Sequence, residues 1–124
     1  MCRLQLTVLL VEDEQAIRKL LRTALERAGY EVMEASDGDE ALRLAHGTGV
    51  DLLITDIVMP GKEGIELTRY FRKHFPQTKI IVVSGNEQYL RVAQVLGADA
   101  VFTKPFQTAD LLITVARLLR LHDA

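Results

Sequence analysis

Five polar residues with the chemistry of a metal or phosphate site each follow a short apolar run. Glu12 and Asp13 follow the first such run, and Asp56, Ser84 and Lys104 follow three later ones. Three carboxylates brought together repel one another, and a hard divalent cation with oxygen ligands relieves that repulsion. Mg²⁺ is the expected cation because it keeps several waters and takes a few carboxylates plus a phosphate. Lys104 would add a fixed positive charge and Ser84 a hydroxyl donor.

These five residues meet if the apolar runs are parallel strands. The runs alternate five times with longer amphipathic stretches, which is the pattern of a βαβ series. Strands separated by helices pair in parallel through right-handed crossovers, and ligands bind beyond their carboxyl ends. We therefore predict an α/β fold with an open, doubly wound, five-stranded parallel sheet and five helices. The predicted strands are Leu6–Val11, about Glu31–Ala35 at a sheet edge, Leu52–Thr55, Ile80–Val83 and about Ala100–Thr103.

Helical spacing of apolar residues predicts which helix faces pack against the sheet. In the first helix the recurring residues are Ile17, Leu20, Leu21, Ala24, Leu25 and Ala28. In the third they are Leu67, Tyr70 and Phe71, and in the fourth Tyr89, Val92, Ala93 and Leu96. The last helix carries a stripe that we interpret as core, formed by Leu111, Leu112, Val115, Leu118 and Leu119.

Length and composition favour one domain covering residues 1–124. The formal net charge of −2 excludes a strongly basic nucleic-acid-binding module. No apolar run approaches the roughly 18 residues of a membrane span, and the single cysteine, Cys2, cannot form an internal disulfide. We expect a soluble, cytoplasmic protein without direct contacts to nucleic acid or membrane.

Taken singly, each residue of the five has an ordinary structural explanation. Asp56 and Glu12 suit turns and helix caps, Ser84 suits a turn, and Lys104 suits a solvated surface. Together they favour a functional site, because one fold places all five on the same rim. His46, His74 and His122 show no metal-ligand spacing, so we expect them to be solvated.

The motifs around these residues resemble the receiver domain of two-component response regulators. They are Val11-Glu12-Asp13-Glu14, Asp56-Ile57-Val58-Met59-Pro60-Gly61 with Gly64, Val83-Ser84-Gly85 and Lys104-Pro105-Phe106. The resemblance covers essentially the whole chain and implies the flavodoxin-like strand order 2-1-3-4-5. It also implies that Asp56 is the phosphoacceptor and that Asp13, Asp56 and the Val58 carbonyl bind Mg²⁺, with Glu12 assisting through water. Ser84 and Lys104 would contact phosphoryl oxygens, and the Lys104-Pro105 bond would be cis.

By the same resemblance, the donor is a histidine kinase or a histidine phosphotransfer domain. Phosphorylation would alter binding of a downstream protein or effector domain at the surface formed by the fourth helix, fifth strand and fifth helix. The resemblance also implies phosphorylation-linked homodimerisation through the fourth and fifth helices. Such a domain catalyses its own phosphorylation and dephosphorylation, so it is not an enzyme acting on an external substrate.

One position departs from the receiver pattern. Receivers commonly carry an aromatic residue three positions before the lysine, where this chain has Val101. Phe102 follows, but strand alternation predicts that it points to the opposite face, into the core. The departure favours an alternative, a receiver-like interaction module that works without phosphorylation.

Two further classes fit the sequence less well. Phosphohydrolases of the haloacid dehalogenase type carry a second acid two residues after the nucleophile, where this chain has Val58. Flavodoxin-type flavin domains need a hydroxyl-rich phosphate loop after the first strand, where this chain has Glu12 and Asp13.

Overall fold

A computed structural model describes residues 5–57 and 63–123, which form five strands alternating with five helices. The strands are β1 (Thr7–Val11), β2 (Glu31–Ala35), β3 (Leu52–Asp56), β4 (Lys79–Ser84) and β5 (Ala100–Thr103). The helices are α1 (Gln15–Arg27), α2 (Gly38–Gly47), α3 (Glu63–His74), α4 (Glu87–Val95) and α5 (Thr108–Asp123). Within the described ranges, no helix is long and apolar enough to cross a membrane.

The strands form one parallel sheet in the order β2-β1-β3-β4-β5. This confirms the predicted α/β class, the doubly wound arrangement and the edge position of the second strand. The order reverses between β1 and β3, so the crevice beyond their carboxyl ends is where a ligand is expected. Glu12 and Asp56 lie at this crevice.

The sheet separates two apolar clusters because alternate residues of each strand point to opposite faces. On one face, Leu9 and Val11 of β1 pack in the cluster that includes Phe71 of α3 and Ala93 of α4. On the other face, Val8 and Leu10 lie in the cluster formed with α1 and α5. The central strands are therefore apolar on both faces, as a sheet covered by helices on both sides requires.

The predicted inner face of α4 is partly wrong. Leu90 and Ala93 are the buried residues, whereas Tyr89 and Val92 are 36% and 41% exposed. Both sets satisfy helical spacing. α4 covers β4 and β5 at the end of the sheet and lies beside α3. A helix in that position buries a narrower stripe than one flanked on both sides.

Three other predicted inward residues also lie at or near the surface. Leu20 of α1 is 61% exposed, and Ala28 at the end of that helix is exposed. Tyr70 of α3 is half-buried, because it lies at the border between α2 and α3. The stripe of α5 is core as predicted, with Leu111, Val115, Leu118 and Leu119 buried and Leu112 packed against them.

Candidate functional site

Three carboxylates converge at the carboxyl ends of β1 and β3. Oxygens of Glu12, Asp13 and Asp56 all lie within 4.8 Å of one another. Glu12 and Asp56 are buried, whereas Asp13 is exposed. The three meet because β1 and β3 are neighbours and both end at the same sheet edge. Among the described residues, this is the one grouping of three potential metal ligands from histidine, cysteine and acidic residues.

Lys104 supplies the positive charge of this cluster. Its Nζ donates to Asp56 Oδ2 at 2.6 Å and to Glu12 Oε1 at 3.1 Å. The residue follows β5, two strands away from β3, so the long side chain reaches across the end of β4. The Lys104-Pro105 peptide bond is cis, as the resemblance implied. The ammonium group thus neutralises part of the repulsion between two buried carboxylates.

Glu12 is held at every polar atom. Its N–H donates to the Ala35 carbonyl at 3.1 Å, and its Oε2 accepts from the Glu14 N–H at 3.1 Å. Oε1 accepts from Lys104, and the main-chain carbonyl accepts from Arg18 Nη1 at 2.6 Å. Sequence reasoning missed Arg18, because helical spacing selects only the apolar positions of α1. Its position in the first turns of α1, just after the acidic pair, was the available signal.

The pKa values of Glu12 and Lys104 both lie above their ordinary values. Burial raises the pKa of Glu12, and this outweighs the hydrogen bond from the Glu14 N–H and the attraction of Lys104. Burial acts to lower the pKa of Lys104, but the hydrogen bond to Asp56 and the charges of both carboxylates outweigh it, so the pKa rises. Lys104 is therefore a cation throughout the physiological pH range.

Ser84 ends β4 and is completely buried. Its Oγ accepts from the Asn86 N–H at 3.0 Å, and its carbonyl accepts from the Lys104 N–H at 2.9 Å. Asn86 is also the N-cap of α4, where its Oδ1 accepts from the Gln88 N–H at 2.8 Å. A change at the Ser84 hydroxyl can therefore reach the first turn of α4. Asn86 was not identified from the sequence, although asparagine just before a helix is a recognised cap signal.

The remaining predictions about the site concern Val58 and the pair Val101 and Phe102. Val58, expected to offer a carbonyl oxygen, lies outside the described residues. Val101 and Phe102 lie on opposite faces of β5, and Phe102 packs 5.7 Å from the Phe106 ring centroid on the α1 and α5 side. This confirms that Phe102 does not replace an aromatic residue at position 101.

The histidines stay outside the cluster. His46 and His74 are exposed, as expected, and both contact Tyr70, with His46 Nε2 3.0 Å from its hydroxyl. The side chain of His122 lies outside the described part of the chain.

The model of the response regulator receiver domain family matches residues 8–116. The match includes both edge strands, β2 and β5, and the clustered residues Glu12, Asp13, Asp56 and Lys104. The chain therefore belongs to the response regulator receiver domain family.

Two curated relatives place the same domain in different proteins. The chain is 37% identical over 115 residues to the alkaline phosphatase synthesis transcriptional regulatory protein PhoP of Bacillus subtilis, covering 91% of this chain and 48% of that protein. It is 43% identical over 122 residues to the sensor kinase CckA of Brucella abortus, covering 94% of this chain and 13% of that kinase. The chain thus spans about half the length of the first relative and a small part of the second.

Solved structures share the fold over nearly the whole chain. A CheY-like response regulator receiver domain protein from Methanospirillum hungatei has a TM-score of 0.90 and 32% identity, with 95% of this chain and 96% of that one covered. The response regulator TrrA of Thermotoga maritima, solved in complex with Mg²⁺ and BeF, has a TM-score of 0.83 and 35% identity. That comparison covers 92% of this chain and 99% of TrrA.

Proposed function

We propose that this receiver domain accepts a phosphoryl group on Asp56 from a phosphohistidine donor, in the presence of Mg²⁺. The observation that carries the proposal is the Lys104 ammonium bridging Asp56 and Glu12, with Asp13 beside them. A nucleophile, an acidic metal site and a fixed cation are the components that phosphoryl transfer requires.

The donor set fits Mg²⁺. All three side chains offer hard carboxylate oxygens, and these already lie within 4.8 Å of one another around a partly open site. Asp13 and Asp56 would hold the ion directly together with the Val58 carbonyl, and Glu12 would act through water. When bound, the ion would neutralise the developing charge on the transferring phosphoryl group. TrrA, with the same fold, was solved with Mg²⁺ and BeF.

The chain's own residues account for the transfer. An oxygen of the Asp56 carboxylate forms a bond to phosphorus while the phosphorus–nitrogen bond of the donor breaks, and the imidazole leaves with that electron pair. Lys104 pairs with Asp56 before transfer and would pair with the phosphoryl oxygens afterwards. Ser84 donates its hydroxyl to one of those oxygens, which adds a second fixed contact.

The output would be a change in binding at the surface formed by α4, β5 and α5. Drawing the Ser84 hydroxyl toward a phosphoryl group removes it from the Asn86 N–H, and Asn86 caps α4. The partners would be a histidine kinase or phosphotransfer domain as donor, and an effector domain or separate protein as target. Homodimerisation through α4 and α5 is one form that this output would take.

Intact mass after incubation with acetyl phosphate and Mg²⁺ tests the proposal. We expect a gain of one phosphoryl group, which EDTA and Asp56→Ala both abolish. If acetyl phosphate fails, a phosphohistidine-carrying donor domain distinguishes slow small-molecule transfer from no transfer. No gain with either donor would contradict the proposal.

That negative result would favour the alternative, an interaction module that works without phosphate. Val101 at the position of the usual aromatic residue is the observation favouring it. The mass experiment separates the two, because the alternative predicts no modification of Asp56.

A further inference from the structure

We propose that Arg18 is a positioning residue of the phosphoacceptor site, which sets the affinity for Mg²⁺ by holding the main chain between the two acidic residues that follow β1. This inference depends on the proposed function. Within the described residues, Arg18 makes no hydrogen bond or ion pair with the three carboxylates of the cluster. It therefore acts through the main chain of Glu12.

The contact is short and specific. Arg18 Nη1 donates to the Glu12 carbonyl at 2.6 Å, and a hydrogen bond from a charged donor is stronger than one between neutral groups. This carbonyl belongs to the peptide that joins Glu12 to Asp13, so its orientation sets where the Asp13 side chain begins. The Arg18 side chain is 18% exposed, so water competes little for the contact.

Glu34 on the edge strand β2 orients the guanidinium from the other side. Its Oε1 lies 3.5 Å from Arg18 Nε, and Glu34 pairs with Leu10 of β1 in the sheet register. Arg18 therefore connects α1 to β2 and to the residue that follows β1, next to the acidic cluster. The polar cavity beside it is lined by Arg18, Glu34, Ala35, Ser36 and Glu40.

Arg22, one turn further along α1, is a matched control. It pairs with Glu34 and with Glu26, carries the same charge, and is 43% exposed. Within the described residues, its ion pairs and hydrogen bonds are with those two acids, and none involves Glu12. Removing Arg22 tests loss of a nearby cation without loss of the main-chain contact.

Electrostatics and positioning predict opposite effects on Mg²⁺ affinity. If Arg18 acted only as a charge, its removal would leave the acidic cluster more negative and Mg²⁺ would bind more tightly. If it positions the Glu12–Asp13 peptide, its removal loosens the ligands and Mg²⁺ binds more weakly. Loss of a residue that orients metal ligands weakens metal binding by about 10- to 100-fold.

We would titrate the full chain with Mg²⁺ and follow amide shifts of Asp13 and Glu14 by NMR. We expect Arg18→Ala to raise the dissociation constant about tenfold. Arg18→Lys, which still presents a donor to the carbonyl, should recover part of the affinity, and Arg22→Ala should stay close to wild type. In phosphorylation by acetyl phosphate, Arg18→Ala should need more Mg²⁺ for half-maximal rate and reach the wild-type rate at saturation.

The outcomes separate this inference from the proposed function. Absence of Mg²⁺ binding by the wild-type chain would overturn both. Wild-type binding that Arg18→Ala leaves unchanged or tightens, or that Arg22→Ala weakens equally, would overturn the role of Arg18 alone. Thermal unfolding without Mg²⁺ establishes that each variant is folded, and Arg18→Gln replaces Arg18→Ala, with the same expectations, if the alanine variant does not fold.

Discussion

Lys104 Nζ lies 2.6 Å from Asp56 Oδ2, joining two residues that are 48 positions apart in the chain. The Asp56 side chain is 8% exposed and that of Lys104 25%, so the pair is shielded without being sealed from solvent. A second contact from the same ammonium reaches Glu12. In the absence of a bound cation, Lys104 thus offsets the repulsion between the carboxylates of this cluster.

Replacing Lys104 should separate metal binding from phosphoryl transfer. Lys104→Met removes the competing cation, so Mg²⁺ should bind more tightly, while the rate of phosphorylation by acetyl phosphate falls by about 100-fold. NMR titration with Mg²⁺ and a time course of intact mass measure the two effects. Lys79→Met is the control, because Lys79 begins β4 at the opposite end of the sheet. An unchanged phosphorylation rate in Lys104→Met would contradict the role given to this residue.

Gly64 provides a test of how the strand end is held in place. A Cβ at this position would lie 2.3 Å from Ile57 Cα and 2.5 Å from the Asp56 carbonyl oxygen. Gly64→Ala must therefore displace α3 or the segment after β3, and we expect it to lower the free energy of unfolding by about 2–3 kcal/mol. Urea denaturation measures the loss. Phosphorylation should also slow, because the main chain of Asp56 shifts.

Gly49→Ala is the matched control for that substitution. No heavy atom lies within 4 Å of a Cβ built at Gly49, so its stability should remain near wild type or rise slightly. Equal stabilities for the Gly64 and Gly49 variants would show that α3 can move away from Ile57 without cost.

Most of the site was predictable because it depends on strand ends. Glu12 and Lys104 directly follow strands and Asp56 is the last residue of one, and parallel strands bring their carboxyl ends to one edge. Arg18 was missed because its contact with a main-chain carbonyl depends on a rotamer that residue spacing does not specify. Asn86 was missed although its place just before α4 is a recognised cap signal.

The prediction of the buried face of α4 was partly wrong for a different reason. Helical spacing permits both the stripe containing Val92 and the stripe containing Leu90, and the neighbouring elements decide which is buried. Val92 and Tyr89 consequently remain on the surface proposed for output, although the sequence pattern assigned them to the core.

Arg72 should contribute to stability through the connection between α4 and β5. Its Nη2 donates to the Gly97 carbonyl at 2.7 Å and to Asp99 Oδ2 at 2.8 Å. Asp99 Oδ2 also accepts from the Ile80 N–H at 2.8 Å, so the ion pair is linked to the beginning of β4. We expect Arg72→Ala to lower the free energy of unfolding by about 1–2 kcal/mol.

Urea denaturation of Arg72→Ala and of Arg69→Ala, an exposed position on the same helix, measures that contribution. A double-mutant cycle with Asp99→Asn should give a coupling energy of at least about 0.5 kcal/mol, because the two side chains are in direct contact. Additive effects of the two substitutions would mean that the ion pair is not the source of the stabilisation.

Tyr30 should make stability fall in alkaline solution. It is half-buried against the α1 and α5 cluster, and burial raises the pKa of its phenol above 10.0, an effect that the charge of Arg120 opposes. Because the folded chain binds this proton more tightly than the unfolded chain, the contribution is fully present below pH 10 and is lost as pH rises through the folded pKa. We expect the stability of the wild-type chain relative to Tyr30→Phe to decline above pH 10. Urea denaturation of both proteins at pH 8, 10 and 11 measures this difference, and a constant difference would show that Tyr30 ionises equally in the folded and unfolded states.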